Sequence, residues 1–108
     1  MRILIVGGGI GGLTTALCLQ PRGIHCIVYE QSGGIRELGV GINVLPHAVR
    51  ILVELGLLEH LDEVAIRTRE LIMMDRRSNE IWREARGTHA GYDVPQFSIH
   101  RGRLQRVL

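Results

Sequence analysis

The sequence contains no lysine, only two cysteines, few aromatic residues and no long apolar run. An aromatic content of 4% leaves few rings on which nucleic-acid bases can stack. The 13 basic residues are all arginines and are interleaved with the 11 acidic residues, so there is no polybasic tract. The longest apolar runs fall short of the ~20 residues that span a bilayer. We therefore expect neither a nucleic-acid nor a membrane partner.

The cysteines and histidines form no recognisable redox or metal motif. Cys18 and Cys26 lie among apolar residues outside a Cys-x-x-Cys arrangement, and we interpret both as reduced core residues. The five histidines have no ligand spacing and no accompanying carboxylate cluster, so we expect no metal site. The start of the chain, Met1 and Arg2, leads directly into a strand-like run, which favours a cytoplasmic protein over an exported one.

The hydrophobic pattern predicts a βαβ unit at the start of the chain. Residues 2–6 form a continuous apolar run, which is typical of a strand covered on both faces. A helix is predicted over 11–20, ended by Pro21 and Gly23. Residues 24–30 are rich in β-branched and aromatic side chains and predict a second buried strand. With 108 residues, the chain has room for one small domain or part of one.

Downstream, the pattern predicts helices and a hairpin. An irregular stretch over 33–46 leads to a helix that begins at Pro46 and stops at Gly56. The remaining predictions are a short helix around 57–63, a β-hairpin formed by 66–75 and 80–85, a loop over 87–95, a brief strand over 97–100 and a helix from 101 onwards. The predicted fold class is therefore α/β with a β-hairpin excursion.

A glycine-rich turn joins the first predicted strand to the first helix. It contains the motif G-x-G-x-x-G at Gly7, Gly9 and Gly12. The first glycine of such a motif permits a tight turn, the second lets a pyrophosphate approach the backbone, and the third lets the helix pack closely on the sheet. A diphosphate then lies over the free amides of the helix N-terminus, where the helix dipole favours negative charge.

Glu30 ends the second predicted strand, 23 positions after Gly7. Its carboxylate can accept hydrogen bonds from the hydroxyls of an adenosine ribose, and it would repel a 2′-phosphate. Gln31 follows where an NADP site would favour arginine. A solvated carboxylate at a strand end is the simpler alternative for Glu30. The motif and Glu30 together predict a site for an ADP moiety and leave FAD and NAD open.

Several downstream segments resemble the single-component FAD-dependent aromatic hydroxylases. These segments are I-R-E-L-G-V-G-I-N at 35–43, L-V-E-L-G-L at 52–57, R-G at 86–87 and P-Q-F-S-I-H-R-G-R-L-Q at 95–105. Within that class they are most similar to the phenazine-modifying monooxygenases. The resemblance covers essentially the whole chain. It implies a Rossmann-like βαβ FAD-binding fold of the glutathione-reductase-like flavoprotein type, in incomplete form.

The resemblance implies FAD as cofactor and NADPH or NADH as reductant. In this family a flavin C4a-hydroperoxide delivers oxygen to an aromatic substrate, so the cofactor carries the chemistry and no catalytic side chain is expected here. Later flavin-binding segments and the substrate domain of the family have no counterpart in the sequence. We therefore expect residues 1–108 to be the N-terminal part of an FAD-binding domain, inactive in isolation. The aromatic substrate and self-association stay open.

The resemblance also implies roles for individual residues. Arg36 is expected at the adenosine ribose or phosphate side of FAD, and Arg101 near the ribityl chain and phosphates, with Gln105 one turn later. Residues 39–43 would bring backbone close to the cofactor, and Arg103 would face solvent. The candidate cofactor-binding residues are Gly7, Gly9, Ile10, Gly11, Gly12, Glu30, Gln31, Arg36, Val40, Gly41, Ile42, Arg101 and Gln105.

Simpler structural explanations exist for several of these candidates. Arg36 and Arg101 are alternatively surface arginines in ion pairs, and Gly39 and Gly41 alternatively mark a tight bend. Asn43 either faces the flavin and substrate region or caps the following helix. For the chain as a whole, the alternatives are a nucleotide-binding module without catalysis and a domain of an NAD-dependent oxidoreductase.

Overall fold

The computed structural model describes residues 1–34 and 39–108, which divide into two compact units. The first unit combines Met1–Val40 with His100–Leu108, and the second is Gly41–Ile99. Within these described ranges, none of the helices combines the length and the apolar character that crossing a membrane requires.

The described residues form seven strands and four α-helices. In chain order they are β1 (Arg2–Val6), α1 (Ile10–Leu19), β2 (His25–Tyr29), β3 (Gly41–Val44), α2 (Pro46–Glu54), α3 (Leu58–Val64), β4 (Ile66–Thr68), β5 (Glu70–Met74), β6 (Glu80–Ala85), β7 (Gln96–His100) and α4 (Arg101–Val107). Two 3₁₀ turns, Gln20–Arg22 and Gly87–Ala90, complete the path. The predicted α/β class with a β-hairpin is confirmed.

In the first unit, α1 connects the parallel strands β1 and β2. The helix ends at Leu19, and Pro21 lies in the following 3₁₀ turn, where its fixed φ angle is compatible with the backbone. Gly23 then adopts a left-handed φ of 73°, which ends the turn and directs the chain into β2. The predicted βαβ order is confirmed, with bounds that differ by at most one residue.

Only one face of the β1–β2 sheet is covered by the described residues. Ile5 packs against α1 and is half-buried, whereas Leu4 and Val6 are 58% and 91% exposed. The prediction that β1 is covered on both faces is therefore wrong here, because a strand's composition cannot say whether a second layer is present. Cys18 and Cys26 are free and half-buried, so they do not lie in the core as predicted.

The second unit contains a three-stranded sheet with the order β3–β7–β4 and a separate β5–β6 hairpin. β4 is antiparallel to β7, and β5 is antiparallel to β6. The apolar stripe of α2 buries Val49 and Leu52. Together with Leu61 of α3 and Phe97 of β7, these residues belong to the core of the unit.

Two predictions about strands are wrong in detail. The strand predicted over 66–75 is two strands, because β4 pairs with β7 whereas β5 pairs with β6, and Arg69 lies between them. Neither glycine nor proline marks this break, so the local sequence gives no sign of it. The stretch predicted as irregular over 33–46 contains β3, a short strand whose neighbour β7 is more than fifty residues away.

Polar side chains connect the three strands of the β3–β7–β4 sheet. The hydroxyl of Ser98 donates to Oδ1 of Asn43 at 2.9 Å and lies 2.6 Å from Oγ1 of Thr68. The N-cap of α2 is Leu45, and no side chain caps this helix. The helix-cap alternative for Asn43 is therefore wrong, because its side chain bonds across the sheet instead.

Candidate functional site

The first unit carries a glycine loop, residues 7–9, between β1 and α1. The amide of Gly7 donates to the carbonyl of Tyr29 at 2.6 Å, which continues the pairing of the two strands. The φ angle of Gly7 is 107°, a conformation that side chains other than glycine rarely adopt. A Cβ atom on Gly12 would collide with the carbonyl oxygen of Gly7. The tight turn and the close helix packing predicted for Gly7 and Gly12 are thus confirmed.

The N-terminus of α1 is open beyond the glycine loop. Gly9 is the N-cap and offers no side chain to the first turn, which contains no acidic residue. The amides of Ile10, Gly11 and Gly12 therefore have no partner within the helix. A Cβ atom on Gly9 or Gly11 would meet nothing within 4 Å. No contact with the residues that the structure describes requires glycine at these two positions, and these residues leave the space above the backbone free for a ligand.

The carboxylate of Glu30 lies beside the glycine loop. Its Oε2 accepts from the amide of Gly8 at 2.6 Å, and its Oε1 accepts from the amide of Ser32 at 2.9 Å. The Ser32 amide, followed by the Gly8 amide, lowers the pKa of Glu30 below its ordinary value of 4.5. The group is therefore ionised at neutral pH. Each carboxylate oxygen keeps a further lone pair with which to accept from a ligand hydroxyl.

Gln105 of α4 contacts the glycine loop as well. Its Nε2 donates to the carbonyl of Gly8 at 2.8 Å, and the bond is partly buried. Gly8 is thus bonded at its amide by Glu30 and at its carbonyl by Gln105. Sequence reasoning did not single out Gly8, although it is the middle glycine of Gly7-Gly8-Gly9. The resemblance predicted Gln105 near the flavin; in the structure, this side chain positions the loop.

Arg101 begins α4 beside residues 39–40. Its amide donates to the carbonyl of Val40 at 3.1 Å. A Cβ atom on Gly39 would lie 3.5 Å from Cδ of Arg101, and the φ angle of 112° confirms a tight bend at Gly39. His100 caps the helix, because its Nδ1 accepts from the amide of Gly102 at 3.2 Å.

α4 is the basic element of the first unit. It contains three arginines and no acidic residue: Arg101, Arg103 and Arg106. Arg101 and Arg103 are exposed, as predicted for Arg103. The helix therefore adds positive charge to the unit that contains the free amides of α1, and this charge favours an anionic ligand.

The structure brings together only part of the predicted site. Seven of the predicted residues lie in the glycine loop or next to it: Gly7, Gly9, Ile10, Gly11, Gly12, Glu30 and Gln105. Gln31 and Val40 are exposed. Gly41 and Ile42 begin β3 and belong to the second unit, while Arg36 lies outside the described residues. Among residues 1–34 and 39–108, no group of three or more histidine, cysteine, aspartate or glutamate side chains is arranged to hold a metal ion.

Known sequences match almost the whole chain. The profile of a family described as "FAD binding domain" matches residues 1–101. Phenazine 1,6-dicarboxylic acid hydroxylase of Lysobacter antibioticus is 50% identical over 107 residues, which are 98% of this chain and 26% of the relative. 3-Amino-4-hydroxybenzoate 2-monooxygenase of Streptomyces cremeus is 35% identical over 114 residues, covering 100% of this chain and 28% of the relative. The chain thus spans about a quarter of the length of these relatives.

Solved structures match the same extent of chain. Klebsiella pneumoniae HpxO, complexed with FAD and uric acid, superposes with a TM-score of 0.77 at 27% identity, over 98% of this chain and 27% of that one. p-Nitrophenol 4-monooxygenase of Pseudomonas putida gives a TM-score of 0.86 at 22% identity, over 97% of this chain and 27% of that chain. The second likeness concerns the fold alone.

Proposed function

The chain belongs to the FAD-binding domain family found in aromatic-ring monooxygenases, and from this premise we propose that its glycine loop holds the pyrophosphate of FAD. The main support for this proposal is the open N-terminus of α1. The amides of Ile10, Gly11 and Gly12 are free of helical partners, and none of the described residues fills the space above Gly9. A diphosphate needs several amide donors and gains from the positive end of the helix dipole.

We propose that Glu30 binds the adenosine half of FAD. Its ionised carboxylate is fixed by two backbone amides and retains capacity for the ribose hydroxyls. Gln105 acts indirectly, by holding the Gly8 carbonyl and with it the loop that faces the pyrophosphate. Because the chain resembles this family, we also include in the proposed cofactor site six further residues: Gln31, Arg36, Val40, Gly41, Ile42 and Arg101.

For the complete protein, we propose NAD(P)H-dependent hydroxylation of an aromatic compound. The named relatives are a phenazine dicarboxylic acid hydroxylase and an aminohydroxybenzoate monooxygenase. FAD supplies the electron transfer and the activation of oxygen when it is bound. Residues 1–108 are the N-terminal part of the FAD-binding domain in this proposal, with the substrate domain outside them. The chain alone would then bind cofactor without hydroxylating a substrate.

The proposal also covers the cellular setting of the protein. Dependence on NADPH or NADH fits the cytoplasm, and so do the free thiols of Cys18 and Cys26. We propose neither a nucleic-acid partner nor a membrane partner for the protein. Self-association is to be measured by ultracentrifugation of the purified chain.

Titration of the 108-residue chain with FAD tests the function of the loop. FAD should bind with quenching of its fluorescence, NAD should bind far more weakly, and NADPH should not be oxidised. Gly9→Val should abolish FAD binding, because its side chain would occupy the space above the loop. Gly33→Val is the matched control, since a Cβ atom there also meets nothing within 4 Å. Stabilisation by NAD and not by FAD would overturn the proposal.

A further inference from the structure

His100 is both the last residue of β7 and the N-cap of α4. Its Nδ1 accepts a hydrogen bond from the amide of Gly102 at 3.2 Å, and this bond is partly buried. Among the α-helices that the structure describes, only α4 has a side chain that caps its first turn. The proposed function gives His100 no role, although this contact fixes the start of α4.

α4 depends on this cap more than a longer helix would. It has seven residues, and a helix of this length is marginal without packing and satisfied ends. Its first turn contains no acidic residue, whereas Arg101 and Arg103 place positive charge at the positive end of the helix dipole. Leu104 is buried and anchors the middle of the helix. The cap offsets the unfavourable charges at its beginning.

α4 connects the cap to the glycine loop. Gln105 lies one turn beyond His100, and its Nε2 donates to the carbonyl of Gly8 at 2.8 Å. α1, which follows the glycine loop, packs against α4 in the same unit. Gln105 reaches Gly8 only while the backbone of α4 keeps its place. A change at the cap can therefore alter the loop that presents the free amides of α1.

The capping atom of His100 is also a site of protonation. Nδ1 accepts a hydrogen bond only while it carries no proton, because both ring nitrogens of an imidazolium are donors. Protonation would turn the acceptor into a donor that faces the amide of Gly102. It would also add a positive charge at the positive end of the helix. Histidine is the side chain whose charge normally changes between about pH 5 and pH 8.

The described elements around His100 offer an imidazolium no opposite charge. Cys18 is the only titratable side chain of α1, and β3, which lies beside β7, has none. β4, on the other side of β7, contains Arg67, which is ion-paired with Asp62. The charged side chains of α4 itself are all positive: Arg101, Arg103 and Arg106. Acid should therefore weaken the cap.

We propose that His100 is a positioning residue that makes cofactor binding at the glycine loop sensitive to acid. The neutral imidazole holds the start of α4, and α4 holds Gln105 against Gly8. Protonation of His100 releases the first turn of the helix and loosens the loop. The inference rests on the proposed function for the identity of the ligand, and it adds a control of affinity by pH that the proposed function does not contain.

FAD titrations of the 108-residue chain at about pH 8 and pH 5.5 test the inference. The affinity of the wild type should fall about fivefold on acidification, because fewer molecules keep the loop in its binding geometry. Glu30 does not cause this loss, since its pKa lies below 4.5 and it stays ionised over the range. His100→Asn retains a capping oxygen that does not titrate, and it should bind FAD equally at both pH values.

Two further variants separate positioning from a general effect of acid. His89→Asn removes an exposed histidine from the 3₁₀ turn Gly87–Ala90 and should keep the fivefold loss of the wild type, within about twofold. Gln105→Met lacks the link between α4 and Gly8, so it should bind FAD more weakly at pH 8 and lose little more at pH 5.5. A purely structural role of His100 would leave the full pH effect in Gln105→Met.

Hydrogen exchange in the chain without FAD reports on the cap directly. The protection factors of the α4 amides should fall between about pH 8 and pH 5.5 in the wild type and stay constant in His100→Asn. A full pH effect on FAD affinity in His100→Asn, or wild-type protection that does not respond to pH, would overturn the inference. Absence of FAD binding at both pH values, with protection that still responds to pH, would instead contradict the proposed function of the loop.

Discussion

The side-chain amide of Gln105 donates a hydrogen bond of 2.8 Å to the backbone carbonyl of Gly8, a residue 97 positions earlier in the sequence. The amide of the same glycine donates to Glu30. The middle residue of the glycine loop is therefore fixed by two side chains, one from Glu30 directly after β2 and one from Gln105 in α4. A loop fixed in this way presents its free amides without first having to become ordered, and this lowers the cost of binding.

Removal of the Gln105 amide should weaken both stability and cofactor binding. We expect Gln105→Met to lower the free energy of unfolding by about 1 kcal/mol, since the hydrogen bond is partly buried and Met retains the length of the side chain. FAD affinity, measured by fluorescence quenching, should fall as well. Arg103→Lys on the same helix is the control, because it alters an exposed side chain and keeps the positive charge. Wild-type FAD affinity in Gln105→Met would show that the loop keeps its geometry without this bond.

Adjacent glycines at the start of α1 should respond to alanine in opposite ways. Gly12→Ala should lower the free energy of unfolding by about 1 to 3 kcal/mol, because the new Cβ atom meets the backbone of Gly7. Gly11→Ala should raise it by about 0.5 to 1 kcal/mol, because its Cβ atom meets open space and alanine favours the helix. Denaturant unfolding of the two variants measures both effects. Similar stabilities for the two would contradict the close helix packing.

Glu30 should make the stability of the chain depend on pH in the acidic range. Backbone donors lower its pKa from 4.5 in the folded chain, so its contribution is complete above the unfolded pKa and is lost as the pH falls through the folded pKa. The difference in Tm between wild type and Glu30→Gln should therefore be constant above about pH 6 and shrink below pH 4.5. Glu63→Gln on the exposed surface of α3 controls for the loss of one negative charge. A difference that grows on acidification would contradict this assignment.

The hydroxyl of Ser98 should couple energetically to Asn43. We expect Ser98→Ala to lower the free energy of unfolding by about 1 kcal/mol, because its hydroxyl bonds to side chains of both neighbouring strands. In a double-mutant cycle with Asn43→Ala, the second substitution should cost less in the Ser98→Ala background than in the wild type. Strictly additive effects would exclude the side-chain bond between β7 and β3.

Elements whose position depends mainly on their own residues are predicted correctly from the sequence. The glycine pattern located the turn after β1, and the apolar stripe that begins at Pro46 located α2, because local conformation and a single buried face determine both. The end of α1 before Pro21 follows from the same local rules. The chemical identity of Glu30 and its separation from Gly7 along the chain are sufficient to single it out from the sequence alone.

Features that depend on distant partners could not be predicted in this way. β3 is four residues long and begins with a glycine, and it is a strand because β7 lies beside it. The break at Arg69 arises because the two halves of one β-favouring segment pair with different strands. The hydrogen bond between Gln105 and Gly8 likewise joins two residues that are far apart in sequence, and no local pattern encodes their proximity.

The face of β1 that residues 1–34 and 39–108 leave uncovered affects how the chain must be handled in solution. Leu4 and Val6 project from a two-stranded parallel sheet, a type of sheet that in most proteins is covered on both sides. Exposed apolar strands of this kind adhere to one another, and β-sheet edges add hydrogen-bonding groups to that attraction. Protein concentration, more than temperature, should therefore set the limit on preparing this chain, and dilute samples should give the most faithful binding curves.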